Sequence, residues 1–292
     1  MQIEVKTMVN YVSLIMDIEK SRMYNIEDRI ELQNYMSYCV KMLNDLFRES
    51  IEYDVTFSAG DELQGLFRDT TTALMYFRLL EMLVKPVRLR AGVGVGEWTI
   101  KVDNGLSTQQ DGPAYHRARY AIEEVHKKPF HNIRICSDKD DVLANHLINS
   151  SLNLKNQQIY MQNIVLVILE LLCPFVKWRM DVDRYEIIRE LIEIKFEYKI
   201  GRARHAHLRK ESYLDRDRLY FHGCPVIKPI FIDGSMREAE DNIMIKNISS
   251  YIAEILDCTR QNVENILKRG NANKIRELDY MALQYIEWLY GE

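Results

Sequence analysis

The stretch Tyr53-Asp54-Val55-Thr56-Phe57-Ser58-Ala59-Gly60-Asp61-Glu62-Leu63-Gln64-Gly65-Leu66-Phe67 constrains the fold most. Strand-forming residues flank a central Ala-Gly-Asp-Glu, the pattern of a β-hairpin whose tip presents two acids. A carboxylate at a hairpin tip is held by the strands on either side, which suits a divalent-cation ligand. The same Gly-Asp pair also suits an ordinary tight turn. A second acid ends another apolar run, Tyr11-Val12-Ser13-Leu14-Ile15-Met16-Asp17. If the two strands are neighbours, Asp17 and Asp61 converge. Two converging carboxylates form the protein half of a Mg2+ site for a nucleoside triphosphate.

The segments around the hairpin fix its setting. Leu32, Met36, Cys39, Val40, Leu43, Leu46 and Phe47 recur at helical spacing within 26–51. Thr70 to Val84 reads as a second helix, with Asp69 and Thr70 as cap candidates and Pro86 as its stop. Val87 to Gly96 alternates like a strand, and its glycines allow close backbone approach. Glu97 to Val102 is expected to continue as a strand. Gly112-Pro113 opens a helix to His126, and Asn132 to Cys136 is a short strand. A hairpin between two helices with flanking strands is a split βαβ, ferredoxin-like arrangement. The expected fold is therefore α+β, an antiparallel sheet with helices on one face.

Beyond residue 137 the pattern turns helical, over 138–148, 158–176 and 182–194. Two domains are expected, 1–137 and 138–292, because 292 residues is long for one compact unit. A basic segment at about 197–235 contains His205, His207, His222 and Cys224. That spacing matches no common zinc site, so a solvated charged insertion is expected. The five cysteines form no C-x-x-C pair, and their number is odd. Reduced thiols in a cytoplasmic protein are expected. The N-terminus has no leading apolar segment, so no signal peptide is expected. The most apolar run, 164–173, is too short to span a bilayer, so no membrane partner is expected.

Residues 246–270 carry a sharper pattern. Ile248 to Leu256 and Thr259 to Leu267 read as helix, tight turn, helix. Thr259 caps the second helix, and Val263, Ile266 and Leu267 pack back. Arg260, Gln261 and Asn262 then fall where a recognition helix meets base edges. Lys268, Arg269, Lys274 and Arg276 add a phosphate-binding patch, so DNA is the expected partner. The net charge of −4 leaves any nucleic-acid contact to such local patches.

Four motifs in order carry a family resemblance: Asp17-Ile18-x-x-Ser21-Arg22; Gly60-Asp61-Glu62-x-Gln64-Gly65; Arg90-Ala91-Gly92-Val93-Gly94-Val95-Gly96; and Asp111-Gly112-Pro113-Ala114-Tyr115-His116-x-Ala118-Arg119. Together they resemble the SatD family over about 10–136. The helix-turn-helix, winged or plain, is also similar to SatD proteins. The N-terminal part resembles the palm-like domain of class III nucleotidyl cyclases and GGDEF diguanylate cyclases. That likeness implies Asp17 and Asp61 as ligands of Mg2+ or Mn2+. It implies Ile18, Ser21, Arg22, Gly60, Glu62 and Asp111 near the nucleotide. The chain departs from the cyclase pattern elsewhere. The base-reading lysine falls on Phe57, and the second base-reading acid on Gln109. The catalytic Asn falls on His116, and the transition-state arginine on Tyr120. Arg119 or His116 would then supply the cation that a transferring phosphate needs. Arg88 and Arg90, alternating on a strand, are expected to face water.

The function expected is a nucleotide-responsive DNA-binding regulator. The alternative is a nucleotidyl cyclase or nucleotidyltransferase making a cyclic nucleotide or oligonucleotide. A homodimer assembled through the palm-like part is a third reading.

Overall fold

A computed structural model describes residues 10–291 apart from 104, 129, 178–183, 199–218, 220–226, 237–242 and 244. His205, His207, His222, Cys224 and most of the basic segment lie outside the described residues.

The N-terminal part runs β1 (Tyr11–Ile18), α1 (Ile26–Leu46), β2 (Ile51–Ala59), β3 (Glu62–Phe67), α2 (Thr70–Val84), β4 (Leu89–Gly96), α3 (Pro113–Lys127) and β5 (Ile133–Cys136). The strands form one sheet in the order β2-β3-β1-β4-β5. β1 lies antiparallel between β3 and β4, and only the β4–β5 pair is parallel. This is the split βαβ arrangement that the hairpin requires. Two details differ from expectation. Residues 97–102 form no strand beyond a single bridge from Ile100 to Asp111. The helices also do not share one face.

The reason for the second difference lies in β4. Leu89, Ala91, Val93 and Val95 point to the main core, while Gly92, Gly94 and Gly96 alternate with them. From Ala91 onward the side chains thus fall on one face, leaving a bare strip on the other beyond Arg90. α3 lies in that strip. A Cβ on Gly94 would sit 2.0 Å from the Ala114 carbonyl oxygen, and one on Gly92 2.2 Å from that of Ala118. Ile15, Ala118 and Ile122 complete a small second core there.

On the main face, α2 is buried along its whole length except at Arg78 and Glu81. Asp69 caps its start, accepting from Thr72 N at 2.8 Å. Helices α4 (Val142–Ile148), α5 (Leu152–Gln157), α6 (Tyr160–Leu172) and α7 (Arg184–Glu197) follow. Two-residue strands β6 (Phe175–Val176) and β7 (Ile230–Phe231) pair in parallel. The chain ends in α8 (Ile248–Ile255), α9 (Arg260–Arg269) and α10 (Ala272–Tyr290). The apolar core runs unbroken from β1 through α2 and α6 to α10.

Two polar devices join the halves. The carbonyls that end α2 have no partner within the helix. Lys195 Nζ of α7 donates to Met82 O, Leu83 O and Lys85 O. Tyr198, Tyr35 and Asn163 donate to Val84 O, Leu83 O and Met82 O. Farther along, Arg78 of α2 makes a two-pronged contact with Glu170 of α6 and reaches Asp279 of α10. Arg276, expected from the sequence in the phosphate-binding patch, is instead fully buried because it pairs with the buried Glu170, at 2.6 Å, and Lys155 adds a cation on Asp279 at 3.1 Å. Burial works against ionising Glu170, yet Arg276 and Arg78 hold its carboxyl below the usual range.

Candidate functional site

Strand alternation sends Val12, Leu14, Met16 and Ile18 to the main core and leaves Ser13, Ile15 and Asp17 facing α3. Asp17 lies opposite Arg90 in the β1–β4 register, and Arg90 Nε donates to its Oδ1 at 2.8 Å. The other carboxylate oxygen meets His126 Nε2, from the last turn of α3, at 2.7 Å. On the other flank Met16 pairs with Leu63. The next residue of β3, Glu62, is therefore on the Asp17 side of the sheet. Its carboxylate receives both terminal nitrogens of Arg119, at 2.5 and 2.8 Å, and the Ser58 hydroxyl at 2.8 Å. Arg119 holds the Glu62 carboxyl below its usual range, and Glu62 raises Arg119 in turn.

Asp61 looks the other way. Gly60 takes a left-handed backbone, φ +64°, to close the hairpin. Asp61 then lines a cleft with Ile18, Ser21, Phe57, Gly60 and Arg29 on the α1 side. Arg22 stands exposed in the short 3-10 turn that follows β1.

Asp111 and His116 belong to the opposite end of the sheet. His116 Nε2 is 3.3 Å from Asp111 Oδ1, and the Asp111 carbonyl accepts from Thr99 and Ile100. His116 precedes His126 by ten residues of α3, roughly 15 Å of helix rise. The sequence candidates thus fall into three places. Asp17, Glu62 and Arg119 meet under α3. Ile18, Ser21, Gly60 and Asp61 line the cleft beside α1. Asp111 and His116 pair far from both.

Sequence reasoning missed Arg90 and His126. Arg90 does not face water, because its strand neighbour is Asp17, whereas Arg88 stays exposed beside Glu19. Among the described residues no group of three His, Cys, Asp or Glu side chains is set to hold a metal. Mg2+ needs only one or two carboxylates when phosphate oxygens complete its octahedron. Asp17 faces α3 and Asp61 the cleft beside α1, so each stands as a single carboxylate donor and not as half of one pair. Both Asp17 oxygens are engaged, so an ion there would replace Arg90 or His126.

At the other end of the chain, α8 and α9 form the helix-turn-helix. Thr259 caps α9, accepting from Asn262 N at 3.2 Å. Val263 and Leu267 are buried, while Arg260, Gln261, Asn262, Asn265, Lys268 and Arg269 are exposed. Gly270 ends the helix against Gln162 of α6, and Gln158 Nε2 donates to its carbonyl at 2.7 Å. No helix among the described residues is long and apolar enough to cross a membrane.

A split βαβ sheet with an acidic hairpin end, backed by a helical half, defines an α+β protein with a palm-like N-terminal part. The chain belongs to the SatD family, whose sequence model matches residues 11–198. The match ends at Tyr198, which bonds the end of α2, so the helix-turn-helix lies outside it. A comparison with curated proteins finds no match. Two solved structures of a bacterial light-regulated adenylyl cyclase share 13% and 14% identity over 44% of this chain, each with a TM-score of 0.32. The matched region is 43% of the first and 76% of the second. Likeness at that level bears on neither activity nor ligand.

Proposed function

We infer that the protein is a DNA-binding regulator whose palm-like part binds a Mg2+-nucleotide in the cleft beside α1, with Asp61 as the carboxylate donor. The observation that carries this reading is the outer face of α9. A helix with Val263 and Leu267 inward and six polar or basic residues outward has the form of a recognition helix. Arg260 is bonded to Glu264 at 2.7 Å, one turn away. Such an exposed pair is worth about 0.3–0.5 kcal/mol, against about 1–3 kcal/mol for a two-pronged contact to a guanine edge. DNA therefore outcompetes Glu264 for Arg260. Lys268 and Arg269, one turn further on, are placed for phosphates. The buried contacts from α2 to α6 and α10 support a mechanical link to α9, since Gln162 of α6 packs on Gly270 at the α9–α10 junction.

The test is DNA binding by fluorescence anisotropy across a salt series. Arg260→Ala should weaken specific binding by about 1–3 kcal/mol and relax preference at one base position. Lys268→Ala should weaken all sequences alike and reduce the salt slope by about 0.9. Wild-type protein that retains no DNA at low salt would sink the reading.

A further inference from the structure

β5 is an edge strand, and alternation sends its Ile133 and Ile135 into the main core. Arg134 therefore lies on the α3 side, opposite Gly92 in the β4 register. α4 closes the free edge of the strand. Asn149 bonds both backbone groups of Ile133, and Asn145 bonds both of Ile135. His146 follows Asn145, so the two clamps fix its place beside β5. Its ring meets that of His131 edge to face, with 5.7 Å between centres. Lys128, at the end of α3, and Arg134 complete a group of four basic residues drawn from α3, the turn after it, β5 and α4. Burial, and then the charges of His146, Lys128 and Arg134, hold the His131 imidazole below its usual range. An acid in range, Glu124, is already bonded to Lys127 at 2.8 Å.

Two polar atoms of this group are buried without a hydrogen-bond partner, Arg134 Nε and His131 Nδ1. A buried polar atom left unpaired is expensive in a folded protein. The C-terminal dipole of α3 accounts for Lys127 and Lys128. It does not account for Arg134 or His146, which other elements bring to the same place. Like charges gathered in this way repel one another, and an anion shared among them removes that cost. We propose that Lys128, His131, Arg134 and His146 form a binding site for a phosphate group. Phosphate oxygens accept donors from several directions at once, and a guanidinium matches two of them. A small phosphate ester and a DNA backbone present the same chemistry. The site shares no residue with α9 or with the cleft beside α1.

Histidine ring signals followed by NMR against pH, with inorganic phosphate or with chloride at equal ionic strength, test the proposal. A bound anion favours the imidazolium form, so phosphate should raise the titration midpoint of His131. Arg134→Gln should bind phosphate about 10- to 100-fold more weakly, the range for one charge-assisted contact. Lys41→Gln, which removes an exposed charge from α1, should bind as wild type. A His131 midpoint unmoved by phosphate, or unchanged binding by Arg134→Gln, overturns the site. Should that variant fail to fold, the wild-type His131 midpoint decides. Duplex DNA titrated across a salt series then separates the two sources. A salt slope reduced by about 0.9 in Arg134→Gln marks a backbone contact, and an unchanged slope marks a small phosphate ester.

Discussion

Asp17 has a partner on its neighbouring strand and another on the helix above it, and the two differ in how far the sequence reveals them. In a split βαβ sheet β1 and β4 are antiparallel neighbours. An acid at the end of β1 therefore meets whatever opens β4, here Arg90. Alternation alone sends Arg90 to water, and only the pairing of strands sends it to Asp17. His126 carries no such signal, because the tilt of α3 over the sheet decides whether its last turn reaches β1. The turn at Gly60 separates the paired acids by face, leaving Glu62 beside Asp17 and Asp61 beside α1. Cys39 supports a different prediction. It is fully buried on α1, and burial pushes its thiol from 9.0 up to about 12. An acid whose folded pKa is raised contributes stability that is complete below pH 9 and is lost as pH rises towards 12. Cys39→Ala should remove up to about 1.4 kcal/mol per pH unit from that alkaline fall. Urea melts at several pH values between 8 and 11 measure it, and equal slopes in both proteins contradict it.

Among the elements, α3 and the end of α2 are positioned by single residue types. The glycines of β4 are legible as a site of close approach, and the helix that approaches is α3. Gly94→Ala would drive a methyl into the α3 backbone, where no flexible side chain can give way. The expected cost is about 3 kcal/mol or more, the upper end for overpacking, read by chemical denaturation. A loss under about 1 kcal/mol would mean that α3 is not seated on the sheet as described. The end of α2 is only half legible. Pro86 marks the stop, but the sequence gives no hint that Lys195, 110 residues from Lys85, returns to cap it. A buried ammonium at a helix C-terminus offsets its desolvation through three carbonyls and the helix dipole. Lys195→Met keeps the apolar stem and removes the donor to Lys85 O, while Asn163 and Tyr35 still serve Met82 O and Leu83 O. It should cost about 1–3 kcal/mol, the range for one unsatisfied group. An unchanged urea midpoint would show that Lys195 is dispensable. The helix-turn-helix is the most legible element, since Thr259, Val263 and Leu267 each do what their spacing indicates. Residues 175–176 go the other way. Apolar content extends a helix through them, while Pro174 ends it and β6 follows.

Across the whole molecule, one core and one buried charge network tie the palm-like half to the helical half. The guanidinium groups of Arg78 and Arg276 both lie over the Phe175 ring, 4.9 and 4.6 Å from its centre. These contacts join residues some 90 to 200 positions apart, so no local pattern announces them. Sequence reasoning recovers the succession of helices and strands up to residue 136, apart from the strand expected at 97–102, because their periods are local. It does not recover how the layers stack, because stacking is decided by long-range burial. A ligand under the hairpin can alter DNA affinity only if it favours one arrangement of the α2, α6 and α10 contacts over another. The most direct measurement is titration of labelled DNA with wild-type protein and with Asp61→Asn, each with and without saturating Mg2+ and each of the four nucleoside triphosphates. At least one nucleotide should shift wild-type affinity about fivefold or more. Asp61→Asn should keep the nucleotide-free affinity and lose the shift. Wild-type affinity that stays the same with every nucleotide would contradict a nucleotide-controlled regulator.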